Sequence, residues 1–133
     1  MYQALNLSRC SFVPVRHLSY HVRQWGEPVA GEPPLVLVHG WPGSVWEFHK
    51  IIGPLVDPTR FGGRAEDAFH IVVPSLIGFG FSGQPKERGW SNQRMAETIA
   101  KLMARLGYSR YGAQGGDWGS GIVRWLATND GDH

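Results

Sequence analysis

A single cysteine, Cys10, stands in the 133 residues. It excludes an internal disulfide and points to a reducing compartment, which we read as the cytoplasm. No run of about 18 apolar residues occurs, so no membrane-spanning helix is expected. The first ten residues hold no apolar core of a secretory signal, so none is expected there either. Charge of one sign is also scarce. Thirteen Lys and Arg against eleven Asp and Glu leave a net charge of +2, and the basic residues are scattered, which argues against a nucleic-acid surface. The six histidines fall at no metal-ligand spacing, so no metal site is expected. Nor is a cofactor implied. Gly78-x-Gly80-x-x-Gly83 has the form of a dinucleotide fingerprint, but Gln84-Pro85-Lys86 does not open a helix after it.

What is plentiful is glycine and proline, 18 and 9 residues, which signals many turns between short elements. The length suits one domain, 1–133. Phe12 to Val15 reads as an extended run, with Pro14 suited to an edge strand. Leu18, Tyr20 and Val22, with Gln24, alternate with polar neighbours as in a half-exposed strand. Leu35 to Val38 is continuously apolar, as expected of a strand covered on both faces. Ser44 is placed to cap a helix whose face is Val45, Phe48, Ile52 and Leu55, with Gly53-Pro54 ending or kinking it early. Asp57 to Asp67 reads as a surface loop. Phe69 and Ile71 to Val73 form a second buried strand closed by Pro74, and Ser75 to Gly89 is another loop. Ser91 caps a helix with the stripe Met95, Ile99, Leu102, Met103 and Leu106, stopped by Gly107. A strand over Arg110 to Gln114 and a helical run from Ile122 to Ala127 complete the chain. Two strands able to form a hairpin, then strands alternating with helices, predict an α/β fold with a mostly parallel sheet.

Chemistry centres on Gly115-Gly116-Asp117-Trp118-Gly119-Ser120. Small residues two before and two after Asp117 suit a sharp strand-to-helix turn that lifts its apex side chain above the sheet. Aspartate in a glycine cluster is also a common turn residue, so this hexapeptide alone leaves turn and nucleophile both open. The second stretch is His39-Gly40-Trp41-Pro42, which likewise follows a strand. Both loops should open at the same edge of the sheet. The backbone N–H groups of Trp41 and Trp118 would then serve as paired oxyanion donors. Taken alone, the second stretch reads equally well as a strand-ending turn with a buried aromatic.

These residues resemble the α/β-hydrolase-fold epoxide hydrolases, particularly the microsomal type. His39-Gly40-Trp41-Pro42 is similar to that family's H-G-x-P loop, and Gly115 to Ser120 to its aspartate-bearing elbow. Pro74 to Ser82 looks like the loop after its fourth strand, with Ile77 where the family usually has proline. The resemblance implies Asp117 as nucleophile and Trp41 and Trp118 as the oxyanion hole, with His39, Gly40, Pro42, Gly115, Gly116 and Gly119 supporting loop and elbow. It implies a small-molecule epoxide opened to a diol through an Asp117 ester, with no cofactor, nucleic acid or membrane partner. It also implies a histidine base, an acid and a lid with two tyrosines beyond residue 133. His133 directly follows the elbow helix and is not that base. Tyr2, Tyr20, Tyr108 and Tyr111 match no lid position. The expectation is therefore the N-terminal half of such an enzyme, without turnover by itself and prone to self-associate through an unpaired sheet edge. Haloalkane dehalogenases share an Asp-Trp elbow but usually carry Asn where Trp41 stands. A truncated or non-catalytic protein is the alternative from outside the enzymes.

Overall fold

The computed structural model describes residues 8–129. Tyr2 and His133 lie outside them. Five strands form one sheet in the order β1-β2-β4-β3-β5. They are β1 (Arg9–Val15), β2 (Leu18–Trp25), β3 (Leu35–Val38), β4 (Ile71–Pro74) and β5 (Gly112–Gly115). β1 and β2 make an antiparallel hairpin in which Val15 pairs with Leu18. The two turn residues include Arg16 at φ 56°. β2 runs antiparallel to β4, while β3 is parallel to both β4 and β5. Only β2 therefore points against the other four strands.

The continuous apolar runs of β3 and β4 are explained by cover on both faces. Side chains alternate across a strand. Val36, Val38 and Val72 enter one core with Ile99, Leu102 and Ile122. Leu37, Ile71 and Val73 enter the other with Phe48 and Ile52. Helices α2 (Asn92–Arg105) and α3 (Trp118–Asn129) cover the first face, and α1 (His49–Val56) the second. The Ser91 hydroxyl accepts the Arg94 N–H at 3.3 Å and so caps α2. Gly107, at φ 89°, follows that helix in the left-handed conformation that glycine adopts without a Cβ penalty.

Several elements differ from the sequence reading. β2 is not half exposed. It lies between β1 and β4, and the chain after β4 returns over it, so even His21 is buried. Ser44 caps a short 3-10 turn, Val45–Phe48, before α1 begins. Pro54 stands inside α1 without ending it early, and the Asp57 N–H donates to Gly53 O at 2.9 Å to close the last turn. Asp57 to Asp67 holds two 3-10 turns, Pro58–Phe61 and Ala65–Asp67. Phe69 precedes β4 and is exposed. β5 starts at Gly112 rather than Arg110, where pairing with Leu35 begins. α3 starts at Trp118, four residues before the first apolar helical position the sequence offers.

Candidate active site

β3 and β5 are parallel neighbours, and Val38 pairs with Gly115. Their carboxyl ends therefore stop side by side, and the two loops that follow meet. Asp117 is the last residue before α3 and is held at φ 53°. A non-glycine residue in this region is unusual, and aspartate tolerates it better than most. The turn is tight because α3 starts against β3. A Cβ at Gly119 would stand 2.1 Å from the carbonyl oxygen of Val38, and one at Gly115 2.5 Å from the Gly119 carbonyl. A Cβ at Gly40 would lie 2.6 Å from the Asp117 Cβ and 2.7 Å from its Oδ2. Gly116 has no such constraint, with nothing within 4 Å of an added Cβ.

The Trp41 N–H donates to Asp117 Oδ2 at 2.8 Å across 76 positions of sequence. The Trp118 N–H, at the start of α3, also bonds the carboxylate. The first of these bonds, then the second, pulls the Asp117 pKa below the ordinary aspartate value. Asp117 is exposed, so the carboxylate faces solvent while its Oδ2 is held by the Trp41 N–H. His39 holds the loop that supplies Trp41. Its Nε2 accepts the Leu76 N–H at 3.0 Å and its Nδ1 lies 2.9 Å from Gly40 O. The first contact fixes the tautomer: Nδ1 carries the proton and donates it to Gly40. Burial lowers the His39 pKa, against the opposing pull of the Gly40 carbonyl and Glu47. Both ring nitrogens are thus committed. Pro42 follows Trp41 through a cis peptide bond.

The walls are aromatic. Trp41 and Trp118, both exposed, stack with ring centroids 6.0 Å apart. Phe79 meets Trp118 edge-on at 6.3 Å and His39 at 5.2 Å. The sequence reading did not single out Phe79. Its only signal was its place in the loop after β4, the third strand ending at this edge. A groove of about 400 Å³ between α2 and α3, lined by Ala100, Ala104 and Trp125, contains none of these residues. Among the described residues no group of three His, Cys, Asp or Glu side chains is placed to hold a metal ion, and no helix is long and apolar enough to cross a membrane.

The Asp117 carboxyl should titrate below the ordinary aspartate value of about 3.9. Its contribution to stability has a definite sign. The group is depressed in the folded state, so its stabilisation is present above the unfolded pKa and is lost as pH falls through the folded one. The amide NMR signals of Trp41 and Trp118, followed between pH 7 and 2, should move together with a midpoint below that of free aspartate. A midpoint above it would show that the two N–H groups do not hold the ionised form.

Residues 33–133 match the α/β-hydrolase-fold family. A putative epoxide hydrolase of Stigmatella aurantiaca is 58% identical over 94 residues, which are 71% of this chain and 21% of that protein. Epoxide hydrolase 1 of Sus scrofa is 46% identical over 94 residues, again 71% of this chain and 21% of its own length. The crystal structure of juvenile hormone epoxide hydrolase from the silkworm Bombyx mori superposes with a TM-score of 0.81 at 37% identity. It covers 94% of this chain and 30% of that one. The matched stretch thus spans about a fifth of the length of these curated relatives. With the family match over 33–133, the chain belongs to the α/β-hydrolase-fold family, and the relatives named above are epoxide hydrolases.

Proposed function

We propose that this chain carries the ester-forming centre of an epoxide hydrolase, with Asp117 as the nucleophile. The observation that carries the reading is the bond from the Trp41 N–H to Asp117 Oδ2 at 2.8 Å. An epoxide is opened at a saturated carbon, and an aspartate is already ionised at neutral pH, so it needs no base to attack. Oδ2 is held by the backbone, which leaves Oδ1 to form the new C–O bond while the epoxide C–O bond breaks. The epoxide oxygen leaves as an alkoxide and must take a proton. Water then attacks the ester carbonyl carbon of Asp117. Negative charge develops on Oδ2, where the N–H groups of Trp41 and Trp118 can stabilise it. Collapse of that intermediate releases the diol and restores the carboxylate.

The second step needs a base, and the histidine nearest the site does not offer one, because both nitrogens of His39 are engaged. Tyr20 is buried against Thr98 and Tyr108 is bonded to His70, so neither phenol is turned toward the alkoxide. The described residues thus supply the nucleophile and the oxyanion donors. Ester formation without turnover is the reading for 1–133 by itself. The free edge of β5, which pairs only with β3 among the described residues, supports self-association of such a piece.

The test is to trap the ester. The native protein is mixed with a small reactive epoxide, quenched in acid and digested with trypsin. The expected result is one epoxide mass on the peptide Tyr111–Arg124, fragmenting to Asp117. An adduct on another residue, or none while diol is formed, would sink the assignment and leave a non-covalent mechanism or a non-catalytic protein.

A further inference from the structure

On β1 and β2, the strands farthest from β5 in the sheet order, and the chain just after β4, a second group of reactive side chains lies together. The exposed Cys10 of β1 has its Sγ 3.3 Å from Nε2 of His21 on β2. Nδ1 of that imidazole lies 3.0 Å from the Ser75 hydroxyl. The ring is fixed through its own backbone as well. The His21 N–H donates to Ser82 Oγ at 2.9 Å, Ser82 Oγ donates to Ser75 O at 2.6 Å, and the Ser75 N–H donates to His21 O at 2.9 Å. His21, Ser75 and Ser82 are 6%, 3% and 4% exposed. A nucleophile within reach of a base that a third group orients is the arrangement by which proteins activate thiols and hydroxyls.

A separate observation bears on what would react there. Phe12 and Phe81 pack on the His21 ring, with centroids 5.5 Å and 5.4 Å away. Both are open to solvent, at 59% and 77% exposure. Two exposed phenyl rings at the mouth of a buried base form an apolar surface that favours an apolar ligand.

We propose that Cys10, His21 and Ser75 form a second reactive site, at which small apolar α,β-unsaturated carbonyl compounds alkylate the Cys10 thiol. With Nδ1–H donating to Ser75 Oγ, Nε2 keeps its lone pair and takes the thiol proton. The sulfur electron pair forms a C–S bond to the β-carbon. The C=C π pair moves onto the carbonyl as an enolate, and the proton on His21 passes to the α-carbon. The product is a thioether, with no leaving group, oxidant or reductant required. Burial, and secondarily the charge of Arg23, push the His21 imidazole below its ordinary value, so the base is neutral at pH 7. The groups that face it are Arg23 on its own strand, Cys10 and Phe12 from β1, and Ser75, Phe81 and Ser82 after β4.

The experiment labels the native protein with N-phenylmaleimide or N-ethylmaleimide and follows the tryptic peptide Cys10–Arg16 by mass spectrometry. At pH 7 Cys10 should react at least about tenfold faster than N-acetylcysteine, and faster with the phenyl reagent. His21→Gln should bring both the rate and its pH profile to those of N-acetylcysteine, as for a thiol without a base beside it. Phe81→Ala, a change at an exposed side chain, should abolish the preference for the phenyl reagent. Labelling no faster than N-acetylcysteine, or a pH profile unchanged in His21→Gln, would overturn the base. A wild type indifferent to the phenyl group would overturn the apolar mouth.

Discussion

Replacing Gly119 by alanine should destabilise the fold by about 3 kcal/mol or more, at the upper end of the cost of overpacking. Propensity alone argues the other way, since alanine in a helix is favoured over glycine by about 1 kcal/mol. Geometry decides the sign. The new methyl would stand 2.1 Å from Val38 O and 2.9 Å from His39 O. Both are backbone atoms of β3 and its exit, so no side-chain rotation gives relief. Either α3 moves off the sheet or β3 shifts from its pairing with β5, and both movements pull Asp117 from Trp41. Two other glycines serve as controls. Gly116→Ala meets nothing within 4 Å and should stay within about 0.5 kcal/mol, as surface changes do. Gly121→Ala meets the end of the Asn92 side chain, which can swing aside. Urea unfolding of the three variants beside the parent checks the order. Gly119→Ala within 1 kcal/mol of Gly116→Ala would mean that the close approach of α3 to β3 is not obligatory.

The same contact explains how much of the molecule its sequence discloses. β3 is legible because Leu35 to Val38 is apolar at every position and is bracketed by proline and by His39-Gly40. α2 is legible from its stripe and its Ser91 cap. β5 is found in the sequence but displaced by one or two residues, since Gly112, Ala113, Gln114 and Gly115 carry almost no hydrophobic signal. Its place in the order of elements marks it instead, and it is held by pairing with β3. The first turn of α3 is hidden for a related reason. Gly119 and Gly121 are poor helix formers, yet they are what lets the helix lie against Val38 and Asn92. Tertiary closeness there overrides local propensity. His21 looks like the polar side of a half-exposed strand, and only the return of Ser75 and Ser82 over β2 buries it. At the site, the two loops can be brought to one edge from strand order alone. The stacking of Trp41 on Trp118 and the contact of Phe79 depend on distances that no local pattern encodes.

Asp117→Asn should leave the fold intact and lower ester formation by at least about a thousandfold, the scale on which loss of a nucleophile acts. The fold is spared for three reasons. Asparagine tolerates the left-handed region at φ 53° as well as aspartate does. It has nearly the same shape, so the space beside Gly40 is filled as before. Its amide oxygen can still accept the Trp41 N–H that now bonds Oδ2. What disappears is the negative charge, and a neutral amide oxygen is a poor attacking group at a saturated carbon. Ser120→Ala is the matching control. The Ser120 hydroxyl donates to Asp117 O at 2.6 Å, so this change disturbs the turn without touching the carboxylate, and ester formation should stay within about tenfold of the parent. One chemical route can mimic activity in the asparagine variant, namely slow deamidation back to aspartate. The mass of the unmodified Tyr111–Arg124 peptide, read at each time point, separates the two. With thermal unfolding unchanged, a variant that still forms the adduct at a near-parental rate while its peptide keeps the asparagine mass would remove Asp117 from the reaction. The Trp41 bond would then be a turn-stabilising contact, the other reading that the glycine-rich hexapeptide allows.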